Sequence, residues 1–206
     1  MPYGFDMKRV VVLHGLGRTA LSMQRMVNHL MDGGLEATSI NYPSTFGGIY
    51  ELTGLIEPLM PNTGVVNFVG HSLGGILAKH LARSLPKDRR GRIVQLGSPN
   101  RGSEAASQLS FMSPILGHVL KDLEPNSDFN DNDLDVGAIA GTRPIGPMAL
   151  FVDASTRHDG LVTVESAWGS APPEKRFLVD TSHTLLPLHS GAISATLHFL
   201  ENGRFT

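Results

Sequence analysis

The stretch Gly70-His71-Ser72-Leu73-Gly74-Gly75 constrains this chain more than any other part of it. A short apolar run, Val65-Val66-Asn67-Phe68-Val69, precedes it, and a run with helix-like character, Ile76-Leu77-Ala78-Lys79-His80-Leu81-Ala82, follows. Strand, Gly-x-Ser-x-Gly, helix is the pattern of a turn so sharp that its serine is held in strained backbone and its neighbours must lack bulk. Gly70 and Gly74 meet that need, and Gly75 lets the helix pack closely on the strand. The Ser72 hydroxyl then stands at the end of a sheet, over a helix N-terminus. A serine so placed is a candidate nucleophile. It still lacks a base, a group to orient that base, and donors for developing negative charge.

Short β-like runs alternate with amphipathic helical runs along the chain, which predicts an α/β fold with a mostly parallel sheet. Arg9-Val10-Val11-Val12-Leu13 reads as the first strand. The spacing of Met23, Met26, Val27, Leu30 and Met31 predicts a helix over 20–32, capped by Gly33-Gly34. A strand over 35–41 and a helix marked by Ile49, Leu52, Leu55, Ile56 and Leu59 come next. Beyond the Ser72 turn and its helix lie the strand Arg92-Ile93-Val94-Gln95-Leu96 and the loop from Gly97 to Ser103. Val136-Gly137-Ala138-Ile139-Ala140 and residues 148–152 compete for the following strand. Phe177-Leu178-Val179-Asp180 is the last strand, and a helix over 188–201 ends the pattern at Asn202-Gly203. The periodicity weakens over 106–135, where an insertion of short helices lying over the sheet as a lid and an ordinary crossover helix are equal readings. No internal boundary or repeat is evident, so one domain over 1–206 is expected.

Composition removes several kinds of function. With no cysteine among 206 residues, thiolate catalysis and cysteine-based zinc sites are excluded. No zinc-binding His spacing is present, so neither a metal nor another cofactor is expected. A formal net charge of −2 without long charged blocks argues against nucleic acid as the main partner. No run is long enough to span a bilayer and no leader pattern opens the chain, so a cytoplasmic location is the default expectation. Gly15-x-Gly17-x-x-Ala20 approaches a dinucleotide fingerprint, but no acid follows at the end of the second strand to hold a ribose.

The Gly-x-Ser-x-Gly turn resembles that of the α/β-hydrolases, whose chain order implies the acid and then the base on the loops after the last two strands. His183 is the only one of nine histidines between the last strand and the body of the final helix, and it is the expected base. His189 and His198 are read as structural or surface residues. Asp159, followed by Gly160 in a turn-like segment, is the expected acid; serving an Asx turn is the plainer alternative for it. Asp153 is the runner-up, Asp135 sits at the wrong end of its strand, and Asp180 is expected to point elsewhere, with His158 a neighbour only. The oxyanion hole calls for two inward backbone N–H groups. Leu73, after the nucleophile, supplies one, and Leu16, in the glycine-flanked loop after the first strand, supplies the other. Arg18, on that loop, is read as a surface residue, with binding of an anionic substrate group as the alternative.

These segments together resemble the compact bacterial lipase and esterase branch of the α/β-hydrolases, near the GPI inositol-deacylase-like and triacylglycerol-lipase-like groups. The resemblance rests on Val12 to Gly17, Val69 to Gly75, Leu96 to Ser103, Asp159 to Ser166, Ser182 to Thr184 and the terminal Phe199 to Phe205. It implies a minimal, roughly six-stranded sheet flanked by helices. It also implies that Ser72 is nucleophile, Asp159 acid and His183 base, with Leu16 and Leu73 as oxyanion donors. The expected activity is hydrolysis of a small-molecule or lipid ester. Acyl transfer by the same residues and a non-catalytic binding module on the same scaffold are the rival readings.

Overall fold

The computed structural model describes residues 8–101, 133–146 and 155–205. Its strands are β1 (Arg9–Leu13), β2 (Glu36–Ile40), β3 (Val66–His71), β4 (Arg90–Leu96), β5 (Asp135–Gly141) and β6 (Arg176–Val179). They form one all-parallel sheet in the order β2-β1-β3-β4-β5-β6. The helices are α1 (Gln24–Asp32), α2 (Ile49–Ile56), α3 (Leu73–Ser84), α4 (Val164–Trp168) and α5 (Ser190–Asn202). The chain order reverses between β1 and β3. In open α/β sheets the crevice at such a switch point, beyond the carboxyl ends of the strands, is where ligands bind.

Both faces of the sheet are covered, which is why its strands read as continuous apolar runs rather than alternating ones. Val11, Leu13, Phe68 and Ile93 pack with Leu52, Ile56, Leu77 and Leu81 of α2 and α3. Their alternate neighbours Val10, Val12, Val69 and Val94 pack with Met26 and Leu30 of α1 and with Ile193 and Phe199 of α5. Each such side chain, fully buried, contributes about 1.5–3 kcal/mol.

Several boundaries differ from the sequence pattern for local reasons. Residues 20–32 form a 3-10 turn, Ala20–Met23, before α1. At its far end the Gly34 N–H bonds the Met31 carbonyl and the Leu35 N–H the Leu30 carbonyl, a paired closure of the last turn. The run from Ile49 to Leu59 divides at Ile56 and continues as a 3-10 turn containing Pro58, which lacks the N–H a further helical turn needs. Leu55 and Leu59, expected on the core face of that helix, are exposed. The competition for the fifth strand resolves to Asp135–Gly141; residues 148–152 lie outside the described ones. So does most of the expected insertion over 106–135, whose last residue belongs to β5. No helix among the described residues is long and apolar enough to cross a membrane.

Candidate active site

Ser72 is the only non-glycine residue with positive φ among the described ones, at φ 53° and ψ −119°. Such backbone costs about 1–3 kcal/mol and persists only where surrounding contacts impose it. Two contacts do so. The Ser72 N–H donates to the Leu96 carbonyl at 2.9 Å, tying the turn to the end of β4. A Cβ on Gly70 would lie 2.3 Å from the backbone of Gly74 and Gly75, so strand and helix meet main chain to main chain.

Asp159 and His183 are joined twice. The His183 Nδ1–H donates to Asp159 Oδ2 at 2.8 Å, and the His183 backbone N–H donates to the Asp159 carbonyl at 2.8 Å. Asp159 Oδ1 accepts from the backbone N–H of Leu161 at 3.0 Å and of Val162 at 2.7 Å. The two sequence readings of Asp159 therefore coexist: one oxygen closes a local turn and the other faces the imidazole. Fixing the proton on Nδ1 leaves Nε2 as an acceptor. Gly97, at φ +60°, makes room for the pair, since a Cβ there would lie 3.0 Å from Asp159 Oδ2 and 3.1 Å from His183 Nδ1. The end of β4 thus abuts the acid and the imidazole and, through Leu96, holds the Ser72 backbone.

His71 is a site residue that the motif gave no reason to single out. Its Nε2–H donates to the His183 carbonyl at 3.0 Å, and the two rings lie 4.8 Å apart. Burial first, then the charges of His183 and Arg18, hold its pKa well below the ordinary imidazole value, so it stays neutral beside His183. Its Nδ1 has no hydrogen-bond partner.

The loop after β1 is set by His14. This buried ring stacks on Tyr42 at 4.1 Å, and the Tyr42 hydroxyl donates to the His14 carbonyl. Its Nδ1–H donates to the Gly15 carbonyl at 2.9 Å, while its Nε2 accepts from the Tyr42 N–H at 3.4 Å. Burial lowers its pKa, in keeping with that neutral tautomer. The Gly15 carbonyl also accepts from the Arg18 N–H at 3.3 Å. Because the Gly15-Leu16 peptide is trans, a carbonyl held from one side leaves the Leu16 N–H directed to the other. Neither the Leu16 nor the Leu73 N–H has a partner among the described residues. Leu73 opens α3, where the first amides are unpaired by construction.

The other candidates fall elsewhere. Asp153 lies outside the described residues. Asp135, first in β5, is paired with Arg92 and Lys175. Exposed Asp180 pairs with Arg143, which lowers its pKa. The His158 Nδ1 accepts from the Gly160 N–H at 3.1 Å, and His189 caps α5. His198 stands exposed on α5. No cluster of three or more His, Cys, Asp or Glu placed to hold a metal occurs among the described residues.

No protein-family model matches the chain, and no curated protein matches it in sequence. Solved structures do match in fold. A metagenomic carboxyl esterase aligns with TM-score 0.65 and 16% identity over 89% of this chain, which spans 66% of that esterase. Tomato methylketone synthase I aligns with TM-score 0.63 and 13% identity over the whole of both chains. A type II thioesterase from the borrelidin biosynthetic cluster aligns with TM-score 0.59 and 16% identity, over 97% of this chain and 93% of that one. The six-stranded parallel sheet with helices on both faces is the α/β-hydrolase fold.

Proposed function

We propose that this chain is a serine hydrolase that cleaves carboxylic esters through an acyl-enzyme. Ser72 is the nucleophile, His183 the base and Asp159 the group that orients it; the Leu16 and Leu73 amides are the oxyanion hole. The observation that carries the reading is the buried 2.8 Å hydrogen bond from His183 Nδ1 to Asp159, at the sheet edge where Ser72 is held in strained backbone.

The Ser72 proton passes to His183 Nε2 as the oxygen attacks the ester carbonyl. Two N–H groups receive the oxyanion, each worth about 3–4 kcal/mol in the transition state. Collapse expels the alcohol, which takes the proton from His183. Water, activated by the same imidazole, then releases the acid. The substrate is a small-molecule or lipid ester, and the lipase and esterase branch is the place in the fold family that the motifs favour. The carboxyl esterase and the thioesterase with this fold are compatible with that assignment. One domain over 1–206 suffices for the chemistry.

A fluorophosphonate probe tests the reading. Wild-type protein is expected to take the label, and Ser72→Ala to lose it while remaining folded. A folded wild-type chain that neither takes the label nor hydrolyses any nitrophenyl ester overturns it.

A further inference from the structure

Arg18 shares its loop with the Leu16 amide, and that loop is held at several points. The Arg18 N–H closes onto the Gly15 carbonyl at 3.3 Å, Ser44 Oγ accepts from the Gly17 N–H at 3.0 Å, and Asn41 Oδ1 accepts from the Ala20 N–H at 3.1 Å. The residue is partly buried. Its charge acts on two buried imidazoles, His14 under the loop and His71 beside Ser72. The loop itself abuts the Ser72 turn: a Cβ on Gly15 would lie 2.8 Å from His71 Nδ1 and 3.3 Å from Ser72 Cβ.

Among the described residues its guanidinium has no partner, which sets it apart. Arg9 pairs with Glu36, Arg83 and Arg90 with Asp133, and Arg92 with Asp135. Arg89 donates to the carbonyls of Pro61 and Gly64, and Arg176 to that of Ala171. Among the described residues Arg18 alone is a partly buried arginine whose guanidinium has neither a carboxylate nor a carbonyl. Partial burial costs a guanidinium part of its hydration, and an anionic ligand would restore what the described residues do not supply. A guanidinium fork matches the two oxygens of a carboxylate or phosphate.

We infer that Arg18 forms an anion subsite of the active site, and that the ester cleaved carries a carboxylate or phosphate close to its scissile carbonyl. The inference rests on the hydrolase reading above and adds to it the charge of the substrate. Uncharged esters, neutral glycerides among them, lack the group that Arg18 would hold.

The test compares wild type, R18Q and R18K on esters matched for shape and differing in charge. Para-nitrophenyl hemiglutarate against para-nitrophenyl valerate places the charge in the acyl part. Para-acetoxybenzoate and para-acetoxyphenyl phosphate, each against phenyl acetate, place it in the alcohol part and separate carboxylate from phosphate. The readout is the ratio of kcat/KM for the charged ester to that for its neutral match. Any loss of folded protein cancels from this ratio. R18Q is expected to lower it at least about tenfold for one charged ester, with R18K keeping part of the preference as a point charge. A ratio unchanged within about twofold by R18Q for all three charged esters overturns the inference. If the wild type takes the fluorophosphonate label but shows no charge preference, the anion subsite alone falls. If it takes no label and cleaves no ester, the hydrolase reading falls, and this one with it.

Discussion

The two ends of the sheet treat polar groups in opposite ways. At the N-terminal ends of β3, β4 and β5, a cleft of about 680 Å³ is lined by Lys8, Asn67, Arg90, Arg92, Asp133 and Asp135. Its arginines and aspartates are paired: Arg90 with Asp133 at 2.9 Å and Arg92 with Asp135 at 3.2 Å, and Asp135 also pairs with Lys175 outside the cleft at 2.8 Å. At the C-terminal ends the chain buries His14, His71, Asp159 and His183 and strains Ser72, and the Leu16 and Leu73 amides and the Arg18 guanidinium have no partner among the described residues. Room alone therefore does not mark the site. Strain and incompletely paired polar groups set the C-terminal end apart, and under the proposed function a bound ester and its oxyanion supply what they lack.

The contrast is broken most directly at Ser72. Ser72→Ala is expected to lower kcat for a nitrophenyl ester by about 10⁶-fold. Asp133→Asn, at the paired end, is expected to leave kcat within about twofold. Comparable losses at the two ends would remove the distinction between them.

A smaller effect is expected at the acid. Asp159→Asn keeps the size of the side chain but offers an N–H where His183 Nδ1–H needs an acceptor, which favours the wrong tautomer. A fall in kcat of about 10⁴-fold is expected, with KM nearly unchanged. An unaltered kcat would reduce Asp159 to its turn.

Gly97→Ala adds a methyl that meets both Asp159 Oδ2 and His183 Nδ1. Moving that pair by a few tenths of an ångström is expected to cost about tenfold in kcat/KM, less than the roughly 10²-fold of a full 1 Å misplacement. Retention of full rate, measured on the folded variant, would show that the pair can shift without consequence.

The mildest prediction concerns stability. His71 has a folded-state pKa well below the ordinary 6.5, so below that pH the unfolded chain binds the extra proton and the folded chain does not. Stability then falls as pH drops through 6.5, by about 1.4 kcal/mol per pH unit until the folded-state pKa is reached. His14 adds to the slope with the same sign. Urea unfolding on either side of this range is expected to give a shallower pH dependence for His71→Gln, which keeps an N–H donor for the His183 carbonyl. A slope equal to that of wild type would place the effect on another group.

Much of the fold was legible because its signals are local. The run Arg9 to Leu13 matches β1 residue for residue, since a strand buried on both faces needs only an unbroken apolar stretch. The Ser72 turn was legible for the same reason: its glycines stand next to the serine they free. Leu55 and Leu59 misled because a helical period says which residues share a face, not how wide a face the sheet covers. β4 begins at Arg90, earlier than its apolar run, because Arg90 pairs with Val66 ahead of a register shift, at which Asn67 Oδ1 accepts the Arg92 N–H at 2.8 Å. His71 and His14 passed as a motif filler and a loop residue. Their partners, the His183 carbonyl and Tyr42, are distant in the chain.

By itself, then, the sequence determined the α/β alternation, the strained serine and the chain order of an acid and a histidine after it. Those follow from steric rules and burial periods acting over a few residues. Tertiary structure decided which carboxylate faces His183, that His71 joins the strand leading to Ser72 to His183, that His14 turns the Gly15-Leu16 peptide, and that Arg18 has no counter-charge among the described residues. Each of these depends on hydrogen-bond geometry or its absence between segments brought together at the sheet edge, and such geometry exists only once the sheet has closed.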